Sequence, residues 1–215
     1  MLHDKKLFVN FIHEHSTSKM IVSALILAAG KSSRMAHQHK LLLPVGNKPL
    51  IAHTVEHVLQ ARVAEVIVVL GHNADRIRPT LLQQPVRFAL NENYTLGLST
   101  SIKTGLAACQ ETSDAVLMCL ADQPFVTPVE IDLLISRLEQ TPRASIAVPT
   151  FKGKQGNPVL FKMCHRQAMH QLTGDVGCKS IIERNRFETL EVAVLNDNVL
   201  RDVDTLTEYN ALLFQ

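Results

Sequence analysis

Short apolar runs alternate with amphipathic stretches along most of the chain. Ile21 to Ala28, Glu65 to Leu70, Val86 to Leu90, Ala115 to Leu120 and Ser145 to Val148 are rich in Val, Ile, Leu and Ala. Runs of this length read as strands covered on both faces. Between them, Leu50 to Ala61 repeats Ile51, Val55, Val58 and Leu59 at helical spacing, and Pro49 suits a first helical position. Asn73 or Asp75 is placed to cap a helix to about Gln83, which Pro79 shortens or kinks. Ser99 is placed to cap a helix through about Gln110. Thr127-Pro128-Val129-Glu130 combines a cap, an N1 proline and an acid at the third helical position, and Ile131, Leu134, Ile135 and Leu138 form the stripe that follows. This alternation predicts an α/β fold: a three-layer α/β/α sandwich around a mostly parallel, Rossmann-like sheet with right-handed crossovers.

The pattern loosens after Pro149. Residues 152–158 form a turn-rich hairpin candidate, and Val159 to Phe161 a short strand. Helices are expected around Lys162 to Leu172 and Cys178 to Arg184. A strand follows over Thr189 to Leu195, then a terminal helix over Leu206 to Phe214, capped by Thr205 or Asp204. Residues 20–215 are expected to form a single domain, with 150–200 an elaboration at one edge. Residues 1–19 are an N-terminal extension that begins before Met20.

Composition narrows the function classes. A chain of 215 residues with 46% hydrophobic and 20% charged residues is that of an ordinary globular protein. The net charge of +2 implies no general polyanion-binding surface, and 5% aromatics without Trp leave few stacking platforms, so no nucleic-acid partner is expected. No apolar run approaches membrane-spanning length, so no membrane partner is expected. Cys109, Cys119, Cys164 and Cys178 show no close pairing, and reduced thiols in the cytoplasm are the simplest reading. His13 and His15 flank Glu14, but a polar extension explains them without a metal.

The candidate chemistry begins where the first strand ends. Leu27-Ala28-Ala29-Gly30 runs into Lys31-Ser32-Ser33-Arg34. Gly30 permits a sharp turn and a close approach. Two cations, two hydroxyls and several amides after it suit a triphosphate, which Arg binds bidentately. Asp122 lies just past the carboxyl end of a buried strand, where open α/β sheets bind ligands, and suits Mg²⁺ on a triphosphate. Asp202 and Asp204 fall on one side of an extended segment and can complete that site, although Asp204 is equally placed as a helix cap. Gly97-Leu98-Ser99 offers amides and a hydroxyl at a helix start. Gly71, at the end of the second strand, is a weaker candidate. Asp175, between Gly174 and Gly177, suits a turn or a substrate contact, and Lys179 suits solvent or a substrate phosphate. The chain lacks the P-loop, dinucleotide and H-E-x-x-H motifs. What remains is enough for phosphoryl-type transfer, which needs positioning and charge neutralisation and no protein nucleophile.

Taken together, Leu27 to Met35, Lys40-Leu41-Leu42, Gly46 to Leu50, Asn91-Glu92, Gly97-Leu98-Ser99, Ala121 to Pro124, Gly156 to Val159, Gly174 to Gly177 and Asp202 to Thr205 resemble the motif series of the MobA-like nucleotidyltransferases. Within them the chain is most similar to the molybdenum cofactor cytidylyltransferase branch. The resemblance implies transfer of CMP from CTP to the phosphate of molybdopterin, with pyrophosphate released. It implies that Lys31, Arg34 and Lys40 neutralise the phosphates. Asp122, with Asp202 or Asp204, would hold Mg²⁺. Ala29, in place of a second glycine, together with Gly97-Leu98-Ser99 would favour cytosine. Asn157, Asp175 and Lys179 would border the acceptor, and a molybdoenzyme would receive the product. Cys178-Lys179 departs from the family's small residue followed by Arg, and Lys loses the bidentate grip on phosphate. Ala36 stands where a glycine is usual, so the acceptor is less fixed than the nucleotide chemistry.

Overall fold

The computed structural model describes residues 19–31 and 39–213. The strands in chain order are β1 (Val22–Ala28), β2 (Pro44–Val45), β3 (Lys48–Pro49), β4 (Glu65–Leu70), β5 (Arg87–Leu90), β6 (Ala115–Leu120), β7 (Ile146–Phe151), β8 (Lys154–Gln155), β9 (Val159–Lys162) and β10 (Thr189–Ala193). The α-helices are α1 (Leu50–Gln60), α2 (Ala74–Ile77), α3 (Leu98–Ala108), α4 (Pro128–Glu139), α5 (Arg166–His170), α6 (Lys179–Arg184) and α7 (Leu206–Leu213). An eight-stranded sheet runs β10-β7-β9-β6-β1-β4-β5, with β8 added to β7, while β2 and β3 make a separate hairpin. β6, β1, β4 and β5 are parallel neighbours, so their carboxyl ends share one edge.

Two cores follow from strand alternation. Ala24, Ile26 and Ala28 of β1 join Val66 and Val68 of β4 and Leu117 of β6 on one face, where Ile51 and Val55 of α1 and Ile131 and Leu134 of α4 cover them. Leu25, Ile67, Val116 and Met118 point to the other face, under Ile102 and Leu106 of α3, Met169 of α5 and Ile181 of α6. Period-two side chains on strands covered twice are what the continuous apolar runs required. The expected three-layer sandwich is therefore present.

The second half departs from its sequence reading. β9 is antiparallel and lies between β6 and β7, inside the sheet, so residues 150–200 are not a one-edge elaboration. Val159, Leu160 and Phe161 are all buried, which suits an interior strand. β10 forms one edge, parallel to β7, and β5 the other. The helix expected from Asn73 to Gln83 is a single α-turn, α2, continued by a 3-10 segment, Arg78–Leu81, that carries Pro79. Pro79 has no N–H to continue the α ladder. Likewise Met163–His165 is 3-10 before the short α5. Ser99 does not cap α3: the N-cap is Gly97. The capping box at Thr127 and Glu130 is formed as expected.

Candidate active site

β1 delivers Leu27, Ala28, Ala29, Gly30 and Lys31 to the floor of a cleft of about 560 Å³ at the carboxyl edge of the parallel strands. Neighbouring strands hold this floor: the Ala121 amide donates to the Leu27 carbonyl and the His72 amide to the Ala29 carbonyl. Among the described residues, no atom lies within 4 Å of a Cβ built on Gly30, and Gly30 is absent from the left-handed positions. The glycine therefore serves an open approach rather than the sharp turn. Lys31 is exposed at the rim. Ser32, Ser33 and Arg34 lie outside the described residues.

Gly71 stands behind this floor. A Cβ there would meet Ala29 Cβ and Tyr94 Cβ, each at 2.7 Å, so the glycine is set by packing and does not line the cleft.

Two carboxylates and one lysine converge opposite the floor. Asp122 follows β6, and Thr54 of α1 fixes the preceding turn by donating Oγ1 to the Ala121 carbonyl at 3.0 Å. The Val203 amide donates to the Asp122 carbonyl at 3.0 Å, drawing in the segment before α7. Val203 is buried, and Asp204 beside it reaches the cleft. Lys40 Nζ donates to Asp122 Oδ2 and, at 2.6 Å, to Asp204 Oδ1. Burial opposes the Lys40 charge, but the two carboxylates outweigh it and raise its pKa above the usual lysine value. Asp122 Oδ1 is buried without a hydrogen-bond partner.

Asp204 lines the cleft and meets Lys40. α7 is capped instead by Thr205, whose Oγ1 accepts from the Glu208 amide, while Glu208 Oε2 accepts from the Asp204 and Thr205 amides. Asp202 does not line the cleft, although burial first, then Asp204, then Asp122 raise its carboxyl above the usual range.

A divalent ion fits the donor set. Oxygens of Asp122 and Asp204 come close enough to share one ammonium, and an orphaned carboxylate oxygen lies beside them. The described residues hold no group of three or more His, Cys, Asp or Glu arranged for a metal. Mg²⁺ keeps several waters and takes one or two carboxylates plus substrate phosphates, so two suffice.

The far wall is built by contacts that span the sequence. The Leu98 amide donates to Asp175 Oδ1 at 3.2 Å, and the Ser99 amide to the Gly174 carbonyl at 3.2 Å. The turn at 174–175 therefore caps α3 from across the cleft, satisfying amides that the helix leaves open. Gly97 makes that approach possible. Its φ is +107°, and an added Cβ would lie 2.3 Å from the Gly174 carbonyl carbon. Asp175, Gly97 and Leu98 line the cleft, whereas Ser99 is buried and does not. Asn157 and Lys179 do not line it either: the Asn157 amide donates to the Val199 carbonyl, and Lys179 is exposed at the start of α6.

Sequence reasoning missed part of the wall. Tyr94, Thr95 and Leu96 form a 3-10 turn on the cleft, and Ser101 of α3 joins them. Buried Asn91 ties β5 to α3 by donating Nδ2 to Thr100 Oγ1 and Ser101 Oγ, each at 2.9 Å. Polar residues just past a strand end were the available signal. His39 stacks on His72 at 5.6 Å between ring centroids, and His72 meets the edge of Tyr94 at 5.9 Å. Burial, with His72 nearby, lowers the His39 pKa to about 4.

Comparisons with known proteins identify relatives of the chain. The model of the MobA-like NTP transferase domain matches residues 24–190. Over 198 residues the chain is 27% identical to nicotine blue oxidoreductase of Paenarthrobacter nicotinovorans, covering 89% of this chain and 96% of that protein. It is 34% identical over 130 residues to the bifunctional protein GlmU of Syntrophotalea carbinolica, covering 60% of this chain but only 28% of that longer protein. The crystal structure of Rv0371c from Mycobacterium tuberculosis superposes with a TM-score of 0.82 at 26% identity, covering 92% of this chain and all of that one. A manganese complex of the same protein superposes with a TM-score of 0.77 at 24% identity, covering 91% of this chain and all of that one, a likeness of fold alone. The family model spans most of the chain, residues 24–190 of 215, and the chain belongs to the MobA-like NTP transferase family.

Proposed function

We propose that the protein is a Mg²⁺-dependent cytidylyltransferase that transfers CMP from CTP to the phosphate of molybdopterin. The observation that carries this reading is the meeting of Asp122, Asp204 and Lys40 across a cleft floored by Leu27 to Lys31. The triphosphate would lie along the floor. Lys31, Arg34 and Lys40 would neutralise charge on its oxygens, and Asp122 with Asp204 would hold the metal, which supplies a positive charge to the phosphates. The acceptor phosphate oxygen bonds to the α-phosphorus, the bond to the bridging oxygen breaks, and pyrophosphate leaves. The protein orients these groups and provides no nucleophile.

Ala29, whose Cβ lies against Gly71, would help to favour cytosine, together with Gly97 and Leu98. Asp175 would border the acceptor. The domain would span residues 20–215 and act in the cytoplasm, and the product would pass to a molybdoenzyme. A manganese complex of Rv0371c supports divalent-metal use by a related fold. One relative is named for oxidoreduction, so membership of the family does not set the reaction class; the carboxylate–lysine cluster favours transfer. Calorimetric titration with each of the four nucleoside triphosphates and Mg²⁺ tests the nucleotide. CTP is expected to bind tightest. Binding of GTP with none of CTP would overturn the cytosine assignment, and binding of another triphosphate alone would redirect the search to a different donor and acceptor.

A further inference from the structure

We propose that Lys40 is a displaceable counter-cation: its ammonium holds the Asp122–Asp204 carboxylate pair in a metal-free state until a triphosphate draws it away. The inference deepens the reading above and rests on it. One nitrogen, Nζ, donates to both carboxylates, although Asp122 and Asp204 lie 82 and 164 residues further along the chain. Two carboxylates that share one ammonium carry a net negative charge between them. A divalent ion would neutralise the pair fully, but it cannot take the same oxygens while the ammonium remains, because two cations so close repel.

The lysine is built to move while its backbone stays. Lys40 opens the 3-10 turn Lys40–Leu42, in which the Leu43 amide donates to the Lys40 carbonyl at 3.2 Å, and the adjacent Leu41 is buried. A four-carbon stem with rotatable donors can then swing within the cleft. The ammonium also leaves Asp122 incompletely satisfied, since its Oδ1 has no partner. A triphosphate on the Leu27–Lys31 floor would offer the ammonium a better set of anionic oxygens within the same cleft. The metal and nucleotide would therefore enter together, and the free ion would bind poorly.

The test uses the full chain with Mn²⁺ as probe, free ion being read by electron paramagnetic resonance. Wild type, Lys40→Met, Lys40→Gln and Lys40→Arg are titrated first with Mn²⁺ alone, with circular dichroism reporting the fold. The neutral variants are expected to bind Mn²⁺ at least about tenfold more tightly than wild type, while Lys40→Arg, which keeps the charge, stays weak. Folded neutral variants with wild-type Mn²⁺ affinity would overturn the proposal. Two neutral side chains guard against misfolding of one. Repeating the titration with CTP and then the other triphosphates separates the two readings. A Mn²⁺ gain in the neutral variants without nucleotide binding to wild type keeps the counter-cation and removes the nucleotide reading. Nucleotide binding without that gain does the reverse.

Discussion

At the scale of single residues, Asp122 carries the most weight. Its backbone is fixed by the Val203 amide and the preceding turn by Thr54, so removing the carboxylate leaves the scaffold in place. Asp122→Ala is expected to lower turnover by at least about a hundredfold, with a melting temperature close to wild type. Steady-state rates and thermal melts on the same preparation check both halves. His39 makes a separate prediction about stability. Its folded pKa of about 4 lies below the ordinary 6.5, so between these values the unfolded chain binds a proton that the native state refuses. Its contribution is present above pH 6.5 and is lost as pH falls towards 4. At pH 5 that loss is about 2 kcal/mol relative to neutral pH. Denaturant titrations at the two pH values should show a smaller difference for His39→Phe than for wild type. The approach of Asp204 to Asp122 was legible in the sequence, which also offered Asp202, but the bridge that Lys40 makes between the two carboxylates was not. Lys40 pairs with a carboxylate 164 positions away, and neither spacing nor periodicity carries that distance.

At the scale of elements, the same limit separates what was read correctly from what was not. β1, β4 and β6 are continuous apolar runs because both faces are buried, and the cause is local to each run. The α4 start was equally local: Thr127, Pro128 and Glu130 adjoin in sequence and form a capping box. Thr127→Ala is expected to cost about 1 kcal/mol of unfolding free energy, read from denaturant midpoints. The α3 start was misread because its cap comes from the turn at Gly174–Asp175, not from the adjoining Ser99. This cap depends on Gly97, whose backbone lies in the left-handed half of conformational space and whose missing Cβ admits the Gly174 carbonyl. Gly97→Ala is therefore expected to push the turn away, lower the melting temperature by several degrees and weaken nucleotide affinity at least about tenfold. An unchanged affinity would place the α3–turn junction outside the nucleotide's reach.

At the scale of the molecule, the order of parallel strands puts β5, β4, β1 and β6 side by side with their carboxyl ends together. Tyr94, Ala29 and Asp122 come after the ends of β5, β1 and β6, which is how residues spread over nearly a hundred positions enclose one cleft. The layered fold was legible because alternating strand and helix periods leave few topologies. The position of β9 was not, because a four-residue buried strand reads the same at an edge or in the middle of a sheet. In the proposed reaction the acceptor side would draw on this less regular half of the chain, through Asp175, which lines the cleft. The most direct measurement is pyrophosphate release from each nucleoside triphosphate in the presence of Mg²⁺ and molybdenum-loaded molybdopterin. The account predicts pyrophosphate from CTP, dependent on the acceptor and lost in Asp122→Ala; no release from CTP, or release from GTP in its place, would contradict it.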